Sequence, residues 1–145
     1  MKANLFDECV ITKVKDASVA GTTAITSDAI DMAGFDGVAF VTATGAFTAT
    51  GTATIKAQQG AAANMSDAAD LAGTAQAFTD ADGSKSVGVD IKSPVKRYVR
   101  VVISRATANS VWGQIFAIQY RSRKKPVTQA LDKYEKFIGP AEGTA

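Results

Sequence analysis

The sequence predicts an all-β fold, a sandwich or barrel of about seven or eight short antiparallel strands. Three observations lead there. Apolar residues recur with a period of two along most of the chain, the spacing of a pleated strand with one wet face. Turn residues punctuate the apolar runs at short intervals, as sandwiches and barrels require. The composition is rich in Thr and small residues and holds only 3 Pro, which suits strands joined by tight turns.

Taken in order, Cys9 to Val14 and Thr22 to Ile30 are weaker strand candidates. Gly37 to Thr44 is apolar on both faces, as a central strand is. Thr48 to Gln58 alternates most cleanly: Thr48, Thr50, Thr52, Thr54, Lys56 and Gln58 line one face, with Ala49, Gly51, Ala53, Ile55 and Ala57 on the other. A one-residue slip would expose that inner row, so the pattern fixes the orientation. The short link Gly45-Ala46-Phe47 predicts a hairpin between these two strands. Asn64 to Gly73 reads as a single helical turn, with Asn64 or Ser66 as cap and Gly73 as stop. Asp80-Ala81-Asp82-Gly83 reads as a hairpin turn.

Beyond it, Val87, Val89 and Ile91 alternate with Ser86, Gly88 and Asp90. After Pro94, Val99, Val101 and Ile103 point one way and Tyr98, Arg100, Val102 and Ser104 the other. Val111 to Tyr120, counted as one strand, puts Trp112, Phe116, Ile118 and Tyr120 on one side and Val111, Ile115 and Ala117 on the other. Trp112 and Phe116 are the aromatics assigned to the core. Val127, Leu131, Tyr134 and Ile138 recur at helical spacing, predicting a short amphipathic C-terminal helix. Pro140 to Ala145 reads as a free tail or an extended arm.

With 145 residues, 46% of them hydrophobic, residues 1–145 are expected to form one β-sandwich domain with a core of its own. That core runs from about 9 to 120, preceded by an N-terminal segment and followed by a C-terminal arm from about 121 to 145. Cys9 is the one cysteine, so the fold needs no internal disulfide. Met1 to Glu8 has no apolar stretch and is not expected to be a signal peptide. The apolar runs are too short to span a bilayer, and a soluble protein made in a cytosol is expected.

Reactive groups are scarce. The chain contains no histidine, which removes the commonest general base and metal ligand and any Ser–His or Cys–His nucleophile system. Cys9 lies in a strand candidate, where a thiol is an inert packing residue. Asp28, Asp31 and Asp36 form one acidic group and Asp80 with Asp82 another. Neither matches a calcium-loop spacing, and aspartates of this kind are turn residues. The glycines form no phosphate-binding or dinucleotide fingerprint. The reading is a non-enzyme with no catalytic residue, metal or cofactor.

Binding by surfaces remains. Net charge is +2, but residues 1–84 carry four cations against ten acids, and residues 85–136 carry twelve cations against three acids. Such a division either marks a surface for an anionic partner or disappears when strands from the two halves interleave. Arg121, Arg123, Lys124 and Lys125, with Arg97 and Arg100, lie near Tyr98, Trp112 and Tyr120. Basic and aromatic residues interleaved on a sheet can hold single-stranded nucleic acid. The sequence pI is only about 8.7, and the aromatics keep apolar company, so the basic run is read instead as a contact for an acidic protein surface, its end stiffened by Pro126.

Four stretches, Gly51 to Gln58, Ser66 to Thr74, Val89 to Arg100 and Ile118 to Pro126, together resemble the cement, or decoration, proteins of short-tailed bacteriophages. The likeness runs from about residue 35 to 126 and rests on loose structural signatures. It implies a jelly-roll-like antiparallel β-sandwich on the outside of a phage head, synthesised in the host cytoplasm. It implies the major capsid protein as partner, homodimers or other homo-oligomers on the lattice, and bridging of neighbouring capsid subunits. No catalytic residue, cofactor or membrane belongs to that picture, and Arg121, Arg123, Lys124 and Lys125 are the expected capsid contacts. Another phage head or tail structural protein, a nucleic-acid-binding β module using the basic segment, and a glycan-binding sandwich remain as alternative readings.

Overall fold

The two longest alternating segments become the two central strands of one sheet. The structure, a computed structural model, describes residues 3–144. After a four-residue helix α1 (Leu5–Glu8), the chain forms β1 (Val10–Lys15), β2 (Ile25–Thr26), β3 (Ile30–Asp31), β4 (Gly37–Phe47), β5 (Thr52–Gly60) and β6 (Ala69–Asp70). Then follow β7 (Gln76–Phe78), a 3-10 turn at Asp80–Asp82, β8 (Ser86–Lys92), β9 (Tyr98–Ala106), β10 (Ser110–Trp112) and β11 (Ile115–Tyr120).

Every strand pair is antiparallel. One sheet runs β1, β11, β4, β8, with β10 continuing the β11 edge of β4. The other runs β2 and β3 end to end, β9, β5, then β6 and β7 end to end. Counting each broken strand once, the first position pairs with the last, the second with the next to last, and so inward to β5 with β6 and β7. A single long hairpin rolled over itself gives that nesting, and it is the jelly-roll sandwich.

The core lies between the sheets. Val99, Val101 and Ile103 of β9 are fully buried, Ile55 and Ala57 of β5 lie opposite Ile103 and Val101 in register, and Ala53 is buried on the same face. Val38 and Phe40 of β4, Val87, Val89 and Ile91 of β8 and Ile115 and Ala117 of β11 face them from the other sheet. Trp112 closes one end, edge-on to Phe47 and Phe78 with ring centroids 6.3 and 5.2 Å away. Its indole N–H donates to the Ser110 hydroxyl at 3.3 Å.

Several expectations need correction. β4 and β5 are not a hairpin: they lie in different sheets, and Thr48–Gly51 is a turn with Thr50 at φ 67° that carries the chain across the sandwich end. Asp80–Asp82 likewise links β7 in one sheet to β8 in the other. Thr22 to Ile30 resolves into the short β2 and β3, both on the same edge of β9. Asn64 to Gly73 makes turns and the short β6 rather than a helical turn, because Asp67 accepts the backbone N–H groups of Ala61 and Ala62 and folds the loop on itself.

Phe116 is not in the core. β10 and β11 are separated by Gly113 and Gln114, and the inward positions change from Ser110 and Trp112 to Ile115, Ala117 and Gln119. The extra residue flips the face. Phe116, Ile118 and Tyr120 therefore stand on the outside, half-buried. The stretch from Val127 to Ile138 is not a helix: it runs as an irregular arm beside α1 and β1, held by contacts described below.

Candidate interaction surfaces

The basic segment leaves the sandwich at the end of β11. Arg121 adopts φ 54° and turns the chain out of the strand. The Arg123 N–H then donates to the Gly34 carbonyl at 2.9 Å, and the Ser122 hydroxyl ties the loop to Lys124. Arg121 and Arg123 both aim at Asp36, with N···O distances of 3.7 Å each. Lys125 points elsewhere, to Glu8 at 2.8 Å. Lys124 makes no ion pair among the described residues. So the structure brings Arg121 and Arg123 together around one carboxylate, and leaves Lys124 and Lys125 outside that cluster.

The charge division of the sequence folds away for the same reason. Acids of the first half meet cations of the second in Asp31–Arg97 at 2.8 Å, Asp67–Lys96 at 3.4 Å and Asp7–Lys136 at 2.7 Å. The Arg97 hydrogen bonds hold the Asp31 carboxyl below the usual carboxylate range. Asp67 drops to about 2, chiefly through the N–H groups of Ala61 and Ala62. Asp31 and Asp36 thus serve separate ion pairs rather than a common cation site. The turn aspartates Asp80 and Asp82 accept the N–H groups of Thr50 and Thr79. Burial pushes the Cys9 thiol up, with the Glu8 charge adding to the shift, the reverse of what activates a nucleophile.

An open depression beside the cationic exit is lined by Phe35, Asp36, Ser93, Lys96, Arg97 and Arg123. Nearby, the Arg97 guanidinium lies over the Tyr98 ring, 5.4 Å from its centroid. Trp112 is 1% exposed and offers no face for a base to stack on.

The outer faces of the two sheets differ. On the β9–β5 side, Arg100 donates to Gln58 at 2.9 Å, Gln58 donates to Asp70 at 2.8 Å, and Lys56 donates to Asp70 at 2.7 Å. That face is polar and bonded to itself. On the β11–β4 side, Phe116 lies opposite Val41 and Ile118 opposite Ala39, and Ile11 of β1 continues the row beyond Ile118. Val41 is 37% exposed. Tyr120 closes the row by lying across Gly37, its hydroxyl donating to Asp90 at 2.6 Å. A plain period of two hides this apolar face, because the parity changes at Gly113 and Gln114; the glycine directly after Trp112 is the one sequence signal of it.

No helix among the described residues is long and apolar enough to cross a membrane. No family model matches the chain, and no curated protein does. A solved structure of Bacillus endospore appendages, described as a novel family of disulfide-linked pili, is similar over 83% of this chain and 94% of that one. The identity is 19% and the TM-score 0.48, a likeness of chain trace alone.

Proposed function

We propose that the chain is a non-enzymatic structural protein of a phage virion, which binds the outer surface of the capsid and bridges major capsid protein subunits. The observation that carries this reading is the contrast between the two outer faces. One is a polar network satisfied within the chain; the other is an apolar row from Ile11 through Ile118 and Phe116 to Val41. A rigid sandwich with one adhesive face suits repeated docking on a lattice, where many modest contacts add up. The resemblance to cement proteins, spanning about residues 35 to 126, covers β4 to β11 and supports the same reading.

Quantitative mass spectrometry of purified heads tests it. A copy number comparable to that of the major capsid protein is expected; a copy number of a single portal ring would reassign the chain to head completion, and absence from heads would overturn the proposal. Charge reversal probes the basic segment. Arg121, Arg123 and Lys125 face Asp36 and Glu8, so reversing them breaks those ion pairs as well as any contact. Lys124→Glu is the cleaner variant, and reduced occupancy on heads is its expected outcome. Unchanged occupancy would move the contact to the apolar face, where Val41→Asp and Phe116→Asp are the corresponding variants.

A further inference from the structure

We propose that the depression at the end of the sandwich between β1 and the β3–β4 loop binds the C-terminal residue of a peptide, one with an apolar side chain. It has a volume of about 460 Å³, and Val10, Phe35, Gln119, Arg123, Lys124 and Val127 are among the residues lining it. Its floor is a register pair, Val10 of β1 opposite Gln119 of β11, 9% and 7% exposed. Its walls are the loop after β3 and the start of the arm, and the chain fixes both. The Arg123 N–H donates to the Gly34 carbonyl at 2.9 Å, and the Val127 N–H donates to the Asp7 carbonyl at 3.0 Å. Gln129 seats the arm further on, its Oε1 accepting the Ile11 N–H at 2.7 Å and its Nε2 donating to the Cys9 carbonyl at 2.8 Å. The depression is therefore formed before any ligand arrives.

Two unspent polar groups point to a ligand. The Gln119 Nε2 donates to the Asp31 carbonyl at 2.8 Å, which leaves its Oε1 with no donor among the described residues. Among those residues every fully buried side-chain nitrogen or oxygen has a partner, so Oε1 opens onto the depression that Gln119 lines. A residue more than nine-tenths buried thus presents a bare acceptor at the floor. At the rim stands Arg123. Arg97, Arg100 and Arg105 commit guanidinium donors to hydrogen bonds within the chain. The Arg123 guanidinium makes none among the described residues and only faces Asp36 at 3.7 Å. Asp31, the acid that lines the depression, is bound at both oxygens by Arg97.

These groups select the ligand. One bare acceptor suits the single N–H of a peptide amide, whereas an ammonium brings three donors. Arg123 and Lys124 favour an anion, and a guanidinium fork matches a carboxylate. Val10, Phe35 and Val127 add apolar surface for a side chain. An amide N–H, a carboxylate and an apolar side chain on one residue make up the C-terminal residue of a peptide. The inference is independent of the proposed capsid role.

Amide chemical shifts of the full-length chain, titrated with N-acetyl-leucine, test it. Saturable shifts are expected at Gly34, Phe35, Arg123 and the Gln119 side-chain amide. N-acetyl-leucinamide, which lacks the carboxylate, should bind about tenfold more weakly, the order of one lost charge-assisted hydrogen bond, and Arg123→Gln should weaken N-acetyl-leucine by a similar factor. Isocaproate keeps the side chain and carboxylate of leucine and has no N–H. It should bind more weakly than N-acetyl-leucine in the parent, and Gln119→Met should remove that difference. No saturable shift with N-acetyl-leucine overturns the site. Equal affinity for N-acetyl-leucine and its amide overturns the carboxylate contact, and equal affinity for N-acetyl-leucine and isocaproate in the parent overturns the peptide assignment. Free leucine binding more tightly than N-acetyl-leucine overturns it too, in favour of an amino acid. Should Gln119→Met unfold the chain, Arg123→Gln carries the test on an exposed side chain, and unchanged affinity there overturns the proposal.

Discussion

Gly37 shows how much one absent side chain can decide. A Cβ there would fall within the ring of Tyr120, its register partner across β4 and β11. Gly37→Ala must therefore push the ring aside and cost the Tyr120–Asp90 hydrogen bond. A loss of about 1–3 kcal/mol in urea unfolding is expected, and the loss should shrink in a Tyr120→Ala background. Tyr120 itself is pushed up to about 12, by burial first and by the Asp90 hydrogen bond second. Because the fold favours the neutral phenol, this contribution is complete below the ordinary tyrosine range near 10 and vanishes as pH rises through about 12. Phenolate absorbance should resolve its late titration, and Asp90→Asn should bring the midpoint down. Asp67 behaves in the opposite sense. Its carboxyl is lowered from 3.8 to about 2, so its contribution is present above the ordinary range and lost as pH falls through about 2. Acid unfolding of Asp67→Asn should lack that component.

Among the elements, the joint between β10 and β11 matters most. Gly113 and Gln114 supply the change of parity that keeps Trp112 inside and sends Phe116 out. Deleting Gln114 should leave one strand that alternates without a break, with Trp112, Ile115 and Ala117 still inward and Phe116 still outside, so the near-ultraviolet signal of Trp112 should survive. Gln114→Ala, which keeps the count, should stay within about 0.5 kcal/mol of the parent. The same joint explains what could be read beforehand. β5, β8 and β9 were legible because each alternates without interruption and each buries the row its pattern assigns. The β10–β11 faces were not, since an inserted residue is silent in a period count. Nor was the crossing from β4 to β5, because a short link looks the same whether its strands pair or separate. The helical spacing of Val127 to Ile138 was real, but an isolated segment of that length is marginal as a helix, and Gln129, Lys125 and Lys136 are engaged with the N-terminal segment instead. Of the cationic site, the residues were legible and their partners were not: Asp36 and Glu8 lie far away in sequence.

At the scale of the molecule, the two sheets are held apart and together by one aromatic cluster. Trp112 touches Phe47 from its own sheet and Phe78 from the other. Trp112→Ala should cost about 3–5 kcal/mol in equilibrium unfolding. Against a typical domain stability of about 5–15 kcal/mol, that leaves a barely folded chain. The nested topology also brings the ends of the chain side by side, with Phe6 on Tyr134 and Asp7 on Lys136. A circular permutant that joins the ends and opens at Gly73, an exposed turn between β6 and β7, should keep the parent's circular dichroism and thermal transition.

The pairing of first strand with last also has a meaning during translation. β1 leaves the ribosome early, yet its partner β11 and the Gln129 amide that hydrogen-bonds its other edge are made more than a hundred residues later. At ordinary elongation speeds β1 waits about ten seconds with both edges bare. Ribosomes following one another along a single message hold identical bare strands at close quarters for that whole interval. Lys13 and Lys15 are then the charges on β1 itself that oppose its pairing with other strands.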